Sequence, residues 1–258
     1  MTAGGLDPDI IGVPMLAGLL VVATHVPLGR EVLRRGIIFI DLAVAQIAGL
    51  GVIAALSMGW EIGGWRTQLV AVVSALLGAL LIHAFERFRP EIQEALIGIT
   101  FVLAASSGLL LLAGNPHGAE HLSELLSGQL LWVDPRQLAT AATVYAVVLA
   151  AWYLGSVRGP VFYLLFAVTV TVSVQLVGVY LVFSTLIIPA VAVRHLQGKI
   201  AIVTGYLLGT SAYAGGLLCS LVFDWPAGPA VVWMLALTAT IFGAVARTAI
   251  ETGNRTEG

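Results

Sequence analysis

Three groups of side chains in this sequence have the types and spacing to do chemistry. His117, Glu120 and His121 fall at i, i+3 and i+4, which on a helix puts two imidazoles and a carboxylate on one face. Such a set suits zinc or another divalent transition metal. The order resembles the H-x-x-E-H signature of zinc proteases, but that chemistry needs a buried helix and a further ligand. The surrounding "NPHGAEHLSELLSG" is polar, and a solvated interfacial face, where histidine and glutamate are ordinary, explains the three residues more simply. The second group, Asp41 and Gln46, interrupts the apolar stretch "RRGIIFIDLAVAQIAGLGVIAAL". A carboxylate at a bilayer centre costs roughly 2.5 to 3.5 kcal/mol on insertion scales. Asp41 therefore either caps the start of its helix or pairs with an arginine, or it lines a polar path between helices with Gln46. The third group is Gln175, Ser184 and Thr185, beside Gly178 and Pro189. Hydroxyls at a broken membrane helix, together with freed carbonyls, can pass a cation; they can equally bond back to their own helix.

The elements that carry these groups are membrane helices. Of 258 residues, 59% are hydrophobic and 10% are charged, against about 25% charged in an ordinary soluble domain. Apolar runs cover 10–28, 37–59, 67–85, 95–114, 137–157, 199–222 and 227–247, each long enough for a core about 30 Å thick. No polar block is large enough to fold separately, so residues 1–258 form one all-α, polytopic membrane bundle with about eight crossings. Glycines and other small residues within the runs suit close helix packing in lipid. A net charge of −2 with a single lysine, Lys199, argues against a nucleic-acid partner. One cysteine, Cys219, provides neither a disulfide framework nor a cysteine metal site. No P-loop, nucleophile elbow or dinucleotide fingerprint is present. The chain is expected to bind no cofactor and to carry no ATPase site of its own.

Residues 160–193 are the awkward segment. As one helix they would span about 51 Å, too long for one crossing and barely enough for two. Charge favours a broken or re-entrant segment. With the N-terminus outside, Arg30, Arg34, Arg35, Arg87, Arg89 and Arg158 lie on inner loops, and only Arg66 and Arg136 lie outside. If 160–193 doubles back, Arg194, Lys199, Arg247 and Arg255 join the inner set. Gly178 and Pro189 are the natural breaking points. Residues 115–136 then face outward, with Leu122, Leu125 and Leu126 at the spacing of a short amphipathic helix.

"LVFSTLIIPAVAVR" at 181–194 and "FDWPAGPAVV" at 223–232 resemble the membrane subunits of zinc and manganese ABC importers, the ABC-3 family. "PLGREVLRRGIIFIDLAVAQIAGLGVIAAL", "EALIGITFVLAASSGLLLL" and "HLSELLSGQLLWV" extend the resemblance over roughly two thirds of the chain. It implies an inner-membrane permease subunit whose substrate is a divalent transition metal. It also implies a homodimer in membrane lipid, with an ABC ATPase and an extracytoplasmic metal-binding protein as partners. Asp41 would then bind or relay the ion, Gln46 shape the site, and His117, Glu120 and His121 receive metal at the outer mouth. Two features depart from the family pattern. Gln46 stands where many members carry histidine, and only "GSVRGP" follows the fifth helix, where members place a longer stretch that docks on the ATPase. That departure motivates an alternative: a permease-derived protein uncoupled from any ATPase that acts as a binding or assembly partner.

Overall fold

A computed structural model describes residues 8–61, 64–112, 130–155, 157 and 159–256. The described residues form nine α-helices and two short 3-10 turns, without strands. The helices are α1 (Pro8–Arg35), α2 (Ile40–Ser57), α3 (Trp65–Phe88), α4 (Gln93–Leu112), α5 (Pro135–Leu154), α6 (Pro160–Val177), α7 (Val179–Ala192), α8 (Gly198–Phe223) and α9 (Ala227–Thr256). All except α7 contain a stretch long and apolar enough to cross a membrane. Each of the seven unambiguous apolar runs became a helix. Local chemistry sets some of the ends. Asp134 caps α5: its carboxylate accepts the Arg136 N–H, Gln137 reaches back to the Asp134 N–H, and Pro135 opens the helix.

The long segment 160–193 breaks at one residue. Gly178 has φ +83° and ψ 160°, a conformation essentially confined to glycine. Its N–H donates to Val174 O, ending α6, and its carbonyl accepts from Val182 N, starting α7. Pro189 lies within α7 and does not break it. With 14 residues, α7 rises about 21 Å, short of a full crossing.

The segment doubles back. At the start of α6, the Phe162 ring lies 4.3 Å beneath the Arg35 guanidinium. Past the end of α7, the carbonyl of Gly198 lies 3.5 Å from Nη1 of Arg30. Both ends of 160–193 thus meet the last turns of α1. Arg30, Arg34, Arg35, Arg194 and Lys199 share this end of the bundle, which is called the basic end below.

The core runs along α1, α2, α6 and α7, where Val21, Ile40, Phe166, Val177 and Leu186 are fully or nearly fully buried. α1 packs on α7 and α8, α2 on α3 and α4, and α9 on α7 and α8. Small residues permit the closest approaches. A Cβ on Gly29 would strike the Leu186 carbonyl, and one on Gly209 would lie 2.9 Å from Val22 Cγ1. In lipid, where apolar burial drives little association, such backbone proximity is what lets helices attract.

Candidate functional site

A cavity of about 540 Å³ opens between α2, α4, α7 and α9. Its polar lining comes from Gln46 and Ser184, and aromatic side chains at Phe101, Tyr180 and Trp233 form much of the rest. A second, water-sized cavity of about 20 Å³ adjoins it, bounded by Gln46, Gly49, Gly108, Val174 and Val179. Val174 and Val179 flank the break at Gly178. Gln46 therefore lines both spaces, shared with Ser184 of α7 in one and with Val174 and Val179, on either side of the break, in the other. The final carbonyls of a helix lack intrahelical partners, and a broken membrane helix presents them only where protein or a cavity receives them. An amide and a hydroxyl are neutral oxygen donors, able to replace part of a cation's water shell.

The other sequence-selected residues lie elsewhere. Asp41 is 1% exposed, with Oδ1 unpartnered among the described residues. It lines neither cavity, although its neighbour Leu42 lines the larger one. Glu94, at the start of α4, lies close enough for its charge to act on Asp41. Glu94 Oε1 accepts the Phe39 N–H at 3.2 Å, while Oε2 is buried without a partner. Both acids occupy first turns, where the helix N-terminus favours negative charge. Thr185 is fully buried; its hydroxyl bonds Leu181 O at 2.7 Å and the Tyr213 hydroxyl at 3.0 Å. Gln175 is exposed. His117, Glu120 and His121 lie outside the described residues, as does most of 115–136. Among the described residues, no three histidine, cysteine or acidic side chains gather as a metal-holding group.

Two features of this region carry no signal in sequence spacing. Glu94 meets the start of α2 only through the pairing of α2 and α4. Tyr180 and Trp233 reach the cavity only because α7 doubles back beside α9.

The profile of the ABC 3 transport family matches residues 9–157 and 156–246, two stretches that meet at the turn between α5 and α6. The chain belongs to the ABC 3 transport family. It is a multi-pass membrane permease of that family, built as an all-α bundle. High-affinity zinc uptake system membrane protein ZnuB of Buchnera aphidicola is 24% identical over 241 residues, covering 84% of this chain and 90% of that protein. An uncharacterized membrane protein encoded in the ycf23-apcF intergenic region of Cyanophora paradoxa is also 24% identical, over 193 residues. That alignment covers 65% of this chain and 64% of that protein's length. Among solved structures, PsaBC from Streptococcus pneumoniae in complex with Fab superposes with a TM-score of 0.73. It is 21% identical, with 90% of each chain covered. The polytopic all-α bundle expected from the sequence is thus the fold observed, and 160–193 doubles back as the charge count favoured.

Proposed function

We propose that this permease imports a divalent transition metal ion, zinc or manganese, as the membrane subunit of an ABC transporter. The observation that carries the reading is Gln46: one amide lines both the cavity holding Ser184 and the small space at the Gly178 break. Family membership and the zinc-uptake name of the ZnuB relative support the substrate class. Gln46 and Ser184 contact the ion in transit. Asp41, off the cavity wall, supplies negative potential near its inner end, and His117, Glu120 and His121 collect metal at the outer mouth. The chain has no ATPase site of its own and holds no cofactor; energy comes from a partner ATPase, and metal is delivered by an extracytoplasmic binding protein. Two copies of the chain assemble in the inner membrane, with the basic end in the cytoplasm and the N-terminus outside.

A specific observation favours a second reading. Only residues 155–159 connect α5 to α6, leaving little chain there for an ATPase to grip. If no ATPase engages, the protein is an uncoupled permease relative that serves an assembly. On the first reading, the exposed residues 87–92, including the 3-10 turn Pro90–Ile92, take over docking at the basic end.

Co-expression with the neighbouring ATPase and binding-protein genes in cells lacking zinc and manganese uptake separates the two readings. The importer reading expects the ATPase to co-purify and cell-associated zinc or manganese to rise, with Gln46→Ala lowering the rise severalfold. No co-purification and no metal accumulation would overturn it.

A further inference from the structure

A third cavity, of about 600 Å³, lies at the basic end, away from Gln46. It opens between the last turns of α1, α5 and α7 and the first turns of α8, and its charged lining is Arg30, Glu31, Arg34 and Arg194. Glu31 is already taken: its oxygens lie 2.7 Å from Arg34 Nη2 and 2.7 Å from Arg35 Nε. Arg30 and Arg194 have no carboxylate partner among the described residues. Arg30 reaches only the Gly198 carbonyl at 3.5 Å, and Arg194 reaches the Val191 carbonyl at 3.1 Å. The first turn of α8 adds to the positive field, since Gln197 makes no side-chain cap to its free N–H groups. The remaining walls are apolar and include half-buried Trp152, Leu196 and Ile202. A site that combines cationic groups with aliphatic and indole walls, set where helices end, matches a ligand that is anionic at one end and greasy at the other.

We propose that this cavity binds an anionic phospholipid, its phosphate held by Arg30 and Arg194 and its glycerol and upper acyl chains lying against Trp152, Leu196 and Ile202. Free phosphate shares the headgroup chemistry but leaves the apolar wall uncovered. An acidic peptide would need basic groups spread over a longer track. The site is independent of the metal path, so it stands whether or not the chain transports.

Native mass spectrometry of the full chain, released from neutral detergent after incubation with phosphatidylglycerol or phosphatidylcholine, tests the assignment. Phosphatidylglycerol should be retained preferentially, and each of Arg30→Gln and Arg194→Gln should lower its affinity about fivefold, the value of one basic group near an anionic headgroup. Arg136→Gln, at the opposite end, should leave retention unchanged. Equal retention of the two lipids by the unmodified protein would overturn the proposal without recourse to any variant. So would arginine variants that keep the preference. Displacement of the lipid by millimolar inorganic phosphate would reassign the site to a free anion, and displacement by a glutamate-rich peptide would reassign it to a protein partner.

Discussion

Arg35 Nη1 donates to Glu86 Oε1 across 3.1 Å, pinning the last turn of α1 to the last turn of α3. The same guanidinium donates to Glu31 and covers the Phe162 ring at the start of α6. Around it, His83 Nδ1 lies 3.2 Å from Glu86 Oε2, and the His83 ring lies 5.3 Å from that of Tyr163. Tyr163 in turn accepts from Gln93 Nε2 at 3.1 Å. One side chain thus joins three helices beside the short α5–α6 connection. Arg35→Ala should lower stability by about 1 to 2 kcal/mol, the worth of a charged hydrogen bond discounted for partial exposure. Arg35→Lys keeps the charge but loses the planar fork and should fall between. Unfolding midpoints in detergent check both; equal midpoints for all three proteins would show that the network carries no load.

Gly178→Ala places a Cβ where φ is +83°, at a cost of about 1 to 3 kcal/mol. The variant should melt lower and accumulate less metal, whereas Gly98→Ala, within α4 and with nothing within 4 Å of an added Cβ, should melt no lower than the parent and accumulate as much metal.

Asp41→Asn should move stability and transport in opposite directions. The buried, unpartnered Oδ1 beside Glu94 is destabilising, and removing its charge should leave stability, read from unfolding in detergent, unchanged or raised by about 1 kcal/mol. Removing the charge at the inner end of the cavity should lower the maximal uptake rate about tenfold, measured at saturating metal. A variant that transports normally would strip Asp41 of any role in the path.

Tyr213→Phe removes the 3.0 Å bond to Thr185 and should cost about 1 kcal/mol of stability, leaving the metal concentration at half-maximal uptake unchanged. A shifted half-maximal concentration would instead put Thr185 in the ion's route.

Periodicity and length made most of this fold legible. Seven runs of apolar residues sufficed for seven helices, and the positive-inside count selected the doubling back of 160–193. Two breaking points were equal on sequence because both glycine and proline interrupt helices. Pro189 is tolerated where α7 is about to end, while Gly178 supplies a backbone conformation other residues resist. The site was less legible. Gln46 and Ser184 stand far apart in the chain and meet only through the return of α7. Asp41, one residue before a cavity-lining leucine, faces away because neighbours on a helix differ by about 100°. The same rotation puts Thr185 in the core and Ser184 at the cavity.

The backbone of α6 is tied down near both ends: Phe162 sits under Arg35, and Ser173 lies 2.5 Å from the Tyr145 hydroxyl. Beyond Gly178, α7 is a rigid arm about 21 Å long on a single pivot. A swing of about 10° there would carry its far tip by about 4 Å and Ser184, about 9 Å from the pivot, by about 1.6 Å, enough to change the width of the passage beside it while α6 stays still. The arm's tip lies at the basic end, next to Arg194, so a push delivered there would travel along α7 into the bundle, and α1, α8 and α9, which pack on it, would have to shift with it.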